Sequence, residues 1–181
     1  ERGGGRGVAL MFDVQGLRCR ECGREYEAAP IFTCEWCFGP LEVAYDYEAI
    51  TKSVSREKIA AGPASLWRYS DLLPVEADRA VDLGTGFTPL VRADRLGAEL
   101  GLGELWLKND RRNPTNSLKD RVVSNALSTA LEYGFKDAAC TSTGNPSYSV
   151  AALAAPVGLG CHVFLTYAPD QRTIVTTAVY A

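Results

Sequence analysis

The segment Asn113-Pro114-Thr115-Asn116-Ser117-Leu118-Lys119-Asp120-Arg121 concentrates the most distinctive chemistry of this chain. Asn113-Pro114-Thr115-Asn116 breaks regular structure, Ser117 suits a helix N-cap, and an apolar-periodic stretch follows. Lys119 therefore falls near the positive end of a helix dipole, a setting in which a lysine amine can act as a nucleophile or Schiff-base former. Position alone also allows a plain solvated lysine in a first helical turn. A second cluster is built on sulfur. Cys19/Cys22 and Cys34/Cys37 form two Cys-x-x-Cys pairs separated by the eleven residues from Gly23 to Thr33. Four thiolates at this spacing point to tetrahedral zinc with no open position, a structural site, rather than to disulfides or free thiols. Arg18, Arg20 and Arg24 can offset its negative charge. Metal-held thiols belong in a reducing compartment, here expected to be the cytoplasm.

The lysine segment resembles the one that carries pyridoxal 5'-phosphate (PLP) in fold-type II enzymes. It is closest to the threonine synthases, which usually have Phe where this chain has Leu118. Ser142-Thr143-Gly144-Asn145 resembles a second element of that family. Leu66-Trp67-Arg68-Tyr69 through Leu72-Leu73-Pro74, and Gly84-Thr85-Gly86-Phe87-Thr88-Pro89-Leu90, are two more. The resemblance runs in the family's order from about Arg18 to the last residue.

It implies a lyase that converts O-phosphohomoserine and water to threonine and phosphate, with PLP as cofactor and a phosphorylated amino acid as small-molecule partner. By that resemblance Lys119 is the catalytic and cofactor-holding amine, and Asn145 bonds the cofactor's phenolic oxygen. Ser142, Thr143 and Gly144 then present hydroxyls and backbone N–H groups to the substrate carboxylate at a helix N-terminus. Read by itself, Ser-Thr-Gly-Asn is also an ordinary strand-to-helix turn capped by Asn145. Pro146 and Tyr148 depart from the family's usual small or hydroxylic residues, and Pro146 removes one N–H. The family's glycine-rich phosphate loop and the partner of the pyridine nitrogen are expected beyond Ala181. That makes the chain the front part of a longer enzyme, inactive without its C-terminal domain and a homodimer when whole. Two alternatives stay open: another fold-type II enzyme such as cysteate synthase, or a non-catalytic zinc-ribbon module on a degenerate α/β domain.

The elements that must position these groups follow from periodicity and punctuation. Residues 1–8 read as a flexible glycine-rich lead and 9–47 as a zinc-ribbon-like β module. Residues 48–80 read as a helical linker that docks through Trp67, Tyr69, Leu72 and Leu73. From 81 to 181 strands and helices alternate, predicting an α/β fold with part of a parallel fold-type II sheet. Strands are expected at Glu104–Lys108, Asp137–Ser142 (buried) and Cys161–Thr166. Helices are expected at Asp94–Leu100, Ser117–Tyr133, Asn145–Val157 and from Asp170 onward. Leu118, Val122, Val123, Ala126, Leu127, Ala130 and Leu131 form the apolar face of the longest one. Gly134 stops that helix, and Pro156 kinks or ends the next. Ligands of such sheets bind beyond the strands' carboxyl ends, which brings Lys119 and Asn145 to one crevice. Asp120 and Arg121 are expected in ion pairs, the sole histidine, His162, in the core, and Lys108 at the crevice or the surface.

With 181 residues, a formal charge of −3 and 46% hydrophobic content, the chain can bury a core and offers no basic surplus for nucleic acid. No apolar run is long enough for a membrane-spanning helix.

Overall fold

The computed structural model describes residues 14–142, 144–167 and 170–180. The glycine-rich lead and Thr143 lie outside them. Three antiparallel strands open the fold: β1 (Val14–Cys19), β2 (Glu25–Tyr26) and β3 (Leu41–Tyr45), in the order β2-β1-β3. Both cysteine pairs sit on tight turns of one design. Gly23 N donates to Cys19 O and Phe38 N donates to Cys34 O, and Gly23 and Phe38 both adopt the left-handed conformation.

Two short helices follow, each capped as its first residues dictate. Asp46 Oδ1 accepts from Ala49 N ahead of α1 (Tyr47–Ser53), and Ser55 Oγ from Lys58 N ahead of α2 (Arg56–Ala61). A 3-10 segment, Leu66–Leu72, then carries Trp67 into the interior, where its Nε1 donates to Ser124 Oγ at 3.2 Å. Trp67 is the anchor of the linker; Tyr69 and Leu72, expected to dock with it, remain exposed.

β4 (Leu90–Arg92), a strand not expected from the sequence, α3 (Asp94–Glu99) and β5 (Trp106–Lys108) do not extend the parallel sheet expected over 81–181. The strands pair antiparallel. α3 is six residues long, and Ala93 N donates to Leu105 O, so the chain enters and leaves it at adjacent points. The result is an enlarged hairpin instead of a crossover. The parallel expectation holds for β6 (Asp137–Thr141) and β7 (Gly160–Phe164), joined by α5 (Asn145–Ala154). Beyond Ala154 the helix tightens into a 3-10 turn over Ala155–Val157, where Pro156 ends the regular ladder. α6 (Gln171–Tyr180) packs on α5.

α4 (Lys119–Glu132) is the central helix. Its stop is a full Schellman motif: Gly134, at φ +79°, donates to Leu131 O, and Phe135 N reaches Ala130 O. Its buried face differs from the apolar stripe in the sequence. Leu118 and Val122 are 53% and 63% exposed, whereas Asp120, Val123, Ser124, Leu127 and Ser128 are buried. The reason is hydrogen bonding. Ser124 Oγ donates to Val81 O at 2.6 Å, Val81 N donates to Ser128 Oγ at 2.8 Å, and Trp67 needs the same Ser124 hydroxyl. Two serines one turn apart thus grip the backbone of Val81 as a strand would. Around them Val81, Val123, Leu127, Val150, Leu153, Ala154 and Leu159 form the core, with Cys140 and Cys161 at its margin.

β6 is not buried on both sides, as its apolar sequence suggests. Its residues alternate, with Ala138 and Cys140 toward the core and Ala139 and Thr141 exposed. His162 lies on the open side of β7, its Nε2 3.3 Å from Asp137 Oδ1, so the core role expected of it is excluded. No helix among the described residues is long and apolar enough to cross a membrane.

Ser124→Ala strips Trp67 Nε1 of its acceptor and Val81 O of its hydroxyl donor. The expected loss is about 1–3 kcal/mol, read as a lower urea midpoint with an unchanged slope.

Candidate active site and metal centre

The loop that delivers Lys119 is held from two sides. Asn113, buried, accepts from Gly86 N through Oδ1 (2.9 Å) and donates through Nδ2 to Asp110 O (2.9 Å). This ties the lysine segment to the Gly84–Leu90 loop. Gly86 has to be glycine: its φ is +88°, and a Cβ there would lie 2.8 Å from Leu66 N. On the other side Thr115 donates its N–H to Asp120 Oδ2 (2.8 Å) and its hydroxyl to Oδ1 (2.5 Å). Ser117 Oγ accepts from Lys119 N (3.2 Å), but the N-cap position is taken by Leu118, one residue later than expected, with no side-chain cap bond. Regular helix begins at Lys119, whose side chain is exposed.

Asn145 begins α5 and lines an open crevice of about 710 Å³ together with Ser117, Leu118, Asn116, Lys108 and Asp110. The segment leading into α4 and the start of α5 therefore meet at one cleft, lined by Asn145 and Leu118 but not by Lys119 itself. Ser142 and Gly144, just before Asn145 in the chain, are half-buried and do not line the crevice; Gly144 N donates to Ser142 Oγ at 3.2 Å, and Ser142 N to Phe164 O. Thr143 lies outside the described residues.

Arg121 forms the expected ion pair. Its guanidinium meets Asp110 in a bidentate contact of 2.7 and 2.8 Å and also reaches Thr88 Oγ1 at 3.1 Å. Thr88 donates to Asp110 Oδ1, and the Lys108 ammonium donates to Thr88 O. The Arg121 guanidinium, then Thr88 and Lys108, hold the Asp110 carboxyl below its ordinary value. Asp120 departs from expectation: it is fully buried and bonds an amide and two hydroxyls rather than a cation, the second hydroxyl being Ser149 Oγ at 2.5 Å. Sequence reasoning did not single out Asp110, Thr88, Thr115 or Ser149. Thr88 and Thr115 stand inside segments quoted for the resemblance, but with no role of their own; Ser147-x-Ser149, polar within an alanine-rich helix, is the signal that could have pointed to Ser149.

The four paired cysteines converge. Their sulfurs lie within 4.8 Å of one another, with Cys19 to Cys37 at 3.4 Å and Cys22 to Cys34 at 3.7 Å. Zinc–sulfur bonds of ~2.3 Å in a tetrahedron give sulfur–sulfur edges of about 3.8 Å, so the donor set fits such an ion. All four thiols are free of disulfides. The Tyr26 hydroxyl, 3.0 Å away, lowers the Cys34 thiol to about 6. Although the Gly39 amide favours its thiolate, Cys37 is pushed up to about 12 by the crowding sulfurs of Cys19 and Cys22. Thiolates this close cannot all form without a cation among them. Cys140 and Cys161 stand apart, their thiols raised by burial.

Because folding lowers the Asp110 carboxyl, its contribution is present above the unfolded value, roughly pH 4, and is lost as pH falls through the lower folded value. Asp110→Asn is expected to flatten that acid segment of the stability–pH profile, measured by urea unfolding between pH 2 and 5, the range in which carboxylates titrate.

Comparison with known proteins agrees with this arrangement. Residues 81–176, which include α4, α5 and the crevice, match the family described as pyridoxal-phosphate dependent enzymes. Threonine synthase of Methanocaldococcus jannaschii is 45% identical over 150 residues, covering 82% of this chain and 37% of that protein. Threonine synthase of Methanosarcina acetivorans is 41% identical over the same length, covering 82% of this chain and 36% of that protein. Threonine synthase of Mycobacterium leprae is 42% identical over 104 residues, 57% of this chain and 29% of that protein. The chain thus spans little more than a third of the length of the two archaeal relatives. With more than half its residues inside the matched region, the chain belongs to the family of pyridoxal-phosphate dependent enzymes.

Proposed function

We propose that this chain carries the cofactor-lysine part of a fold-type II enzyme resembling threonine synthase, which converts O-phosphohomoserine and water to threonine and phosphate. The observation that carries the reading is the shared crevice: Asn145 lines it beside Ser117 and Leu118, the residues that lead directly into Lys119. The agreement of three relatives named threonine synthase supports it over cysteate synthase.

PLP, when bound, supplies an electron sink for bond breaking at the carbons of an amino acid. Lys119 is the residue that would hold it and move protons through Nζ. Its side chain is exposed, one residue beyond Leu118 of the crevice, which leaves it free for both tasks. Asn145, at the start of α5, would hydrogen-bond the cofactor's phenolic oxygen. Ser142, Thr143 and Gly144 are the proposed carboxylate site at the N-terminus of α5. Binding there exchanges the internal bond from Gly144 N to Ser142 Oγ for one to the substrate. Pro146 contributes no N–H.

We assign structural zinc to Cys19, Cys22, Cys34 and Cys37. A closed set of four sulfurs leaves no position for a substrate, so the ion braces the ribbon. On this reading residues 9–47 form the ribbon, 48–80 the docking linker and 81–181 part of the cofactor domain. Free thiols suit the cytoplasm. Turnover of O-phosphohomoserine is expected of a chain with the relatives' full length.

PLP added to the protein and fixed with borohydride is expected to leave its label on Lys119, located by peptide mass mapping. A label and visible band that persist unchanged in Lys119→Ala would falsify the assignment. Titration with a thiol-specific mercurial is expected to release about one zinc per chain. Cys34→Ser is expected to be purified with that zinc largely missing.

A further inference from the structure

We infer that Asp120 is a positioning residue, locking the loop before Lys119 to the helix that begins with Asn145. The inference rests on the assignment of Lys119 above and deepens it. Asp120 is 0% exposed, and its carboxyl spans three elements. Oδ2 accepts from Thr115 N at 2.8 Å; Oδ1 accepts from Thr115 Oγ1 and Ser149 Oγ, each at 2.5 Å. The two hydroxyls lie 3.1 Å apart, closing a triangle. Thr115 belongs to the loop, Asp120 to the first turn of α4 and Ser149 to the second turn of α5.

A buried carboxyl without donors is costly, and these donors are met together only when loop and helices hold one relative placement. That placement sets where the segment leading into Lys119 stands relative to Asn145 across the crevice. An apolar side chain at position 120 would fill the same space without specifying it. Ser124 and Ser128, buried further along the same helix, hold Val81 instead and bond neither the loop nor α5. They supply the internal control: a stability loss of the same kind, on α4, away from the crevice.

The test uses the full chain, PLP as the probe and borohydride to fix it. The ratio of label on Lys119 to label on the exposed Lys136 is read by mass spectrometry, with folding checked by circular dichroism. Asp120→Asn and Ser149→Ala are expected to lower this ratio about tenfold, the effect of losing a hydrogen bond to a charged group. Ser128→Ala is expected to keep the wild-type ratio while losing stability. Should Asp120→Asn fail to fold, Ser149→Ala decides. Wild-type ratios in the Asp120 and Ser149 variants overturn the inference, as does an equal fall in Ser128→Ala. A wild-type chain with no preference for Lys119 overturns the cofactor assignment, and this inference with it.

Discussion

A set of buried polar groups on α4 and α5, set in an apolar interior, fixes what each helix is fastened to. Asp120, Ser124 and Ser128 on one helix and Ser147 and Ser149 on the other are all closed off from water. Apolar surfaces tolerate sliding; a buried hydroxyl or carboxyl does not, because a small shift leaves a donor or acceptor unmade. Each of these groups has found its partner in a different direction. Asp120 holds the lysine loop, Ser124 and Ser128 hold the backbone of Val81 and the indole of Trp67, and Ser147 bonds back to Gly144 O. Together these groups hold the lysine loop, Trp67 and Val81 against the same two helices.

The sequence displays those features whose cause is local. Gly134 closes α4 through a conformation that glycine adopts freely, and the turn chemistry before Lys119 predicts where the helix begins. The two cysteine pairs announce their convergence through spacing alone. The βαβ unit of β6, α5 and β7 is equally visible, since a central alanine-rich helix between two short apolar runs has few other solutions.

What the sequence hides is long-range pairing. The apolar stripe of α4 points to Leu118 and Val122 as core residues, yet the buried face turns toward Asp120 and the serines. Their partners, Val81, Trp67, Thr115 and Ser149, lie elsewhere along the chain, and hydropathy has no term for them. His162 was misplaced for a related reason. An apolar run in a strand says nothing about which alternate side chains face the helix, and His162 takes the open face beside Asp137. The antiparallel pairing of β4 and β5 likewise depends on where α3 releases the chain, a distance that periodicity does not encode.

The inner and outer fastenings of the lysine segment differ in their response to ionic strength. The outer clamp, Arg121 on Asp110, is a partly accessible pair of opposite charges, and dissolved ions weaken it. The inner one joins a carboxyl to an amide and two hydroxyls in a region that ions do not reach. Brine can thus loosen the rim of the cleft while the hinge point behind Lys119 keeps its shape.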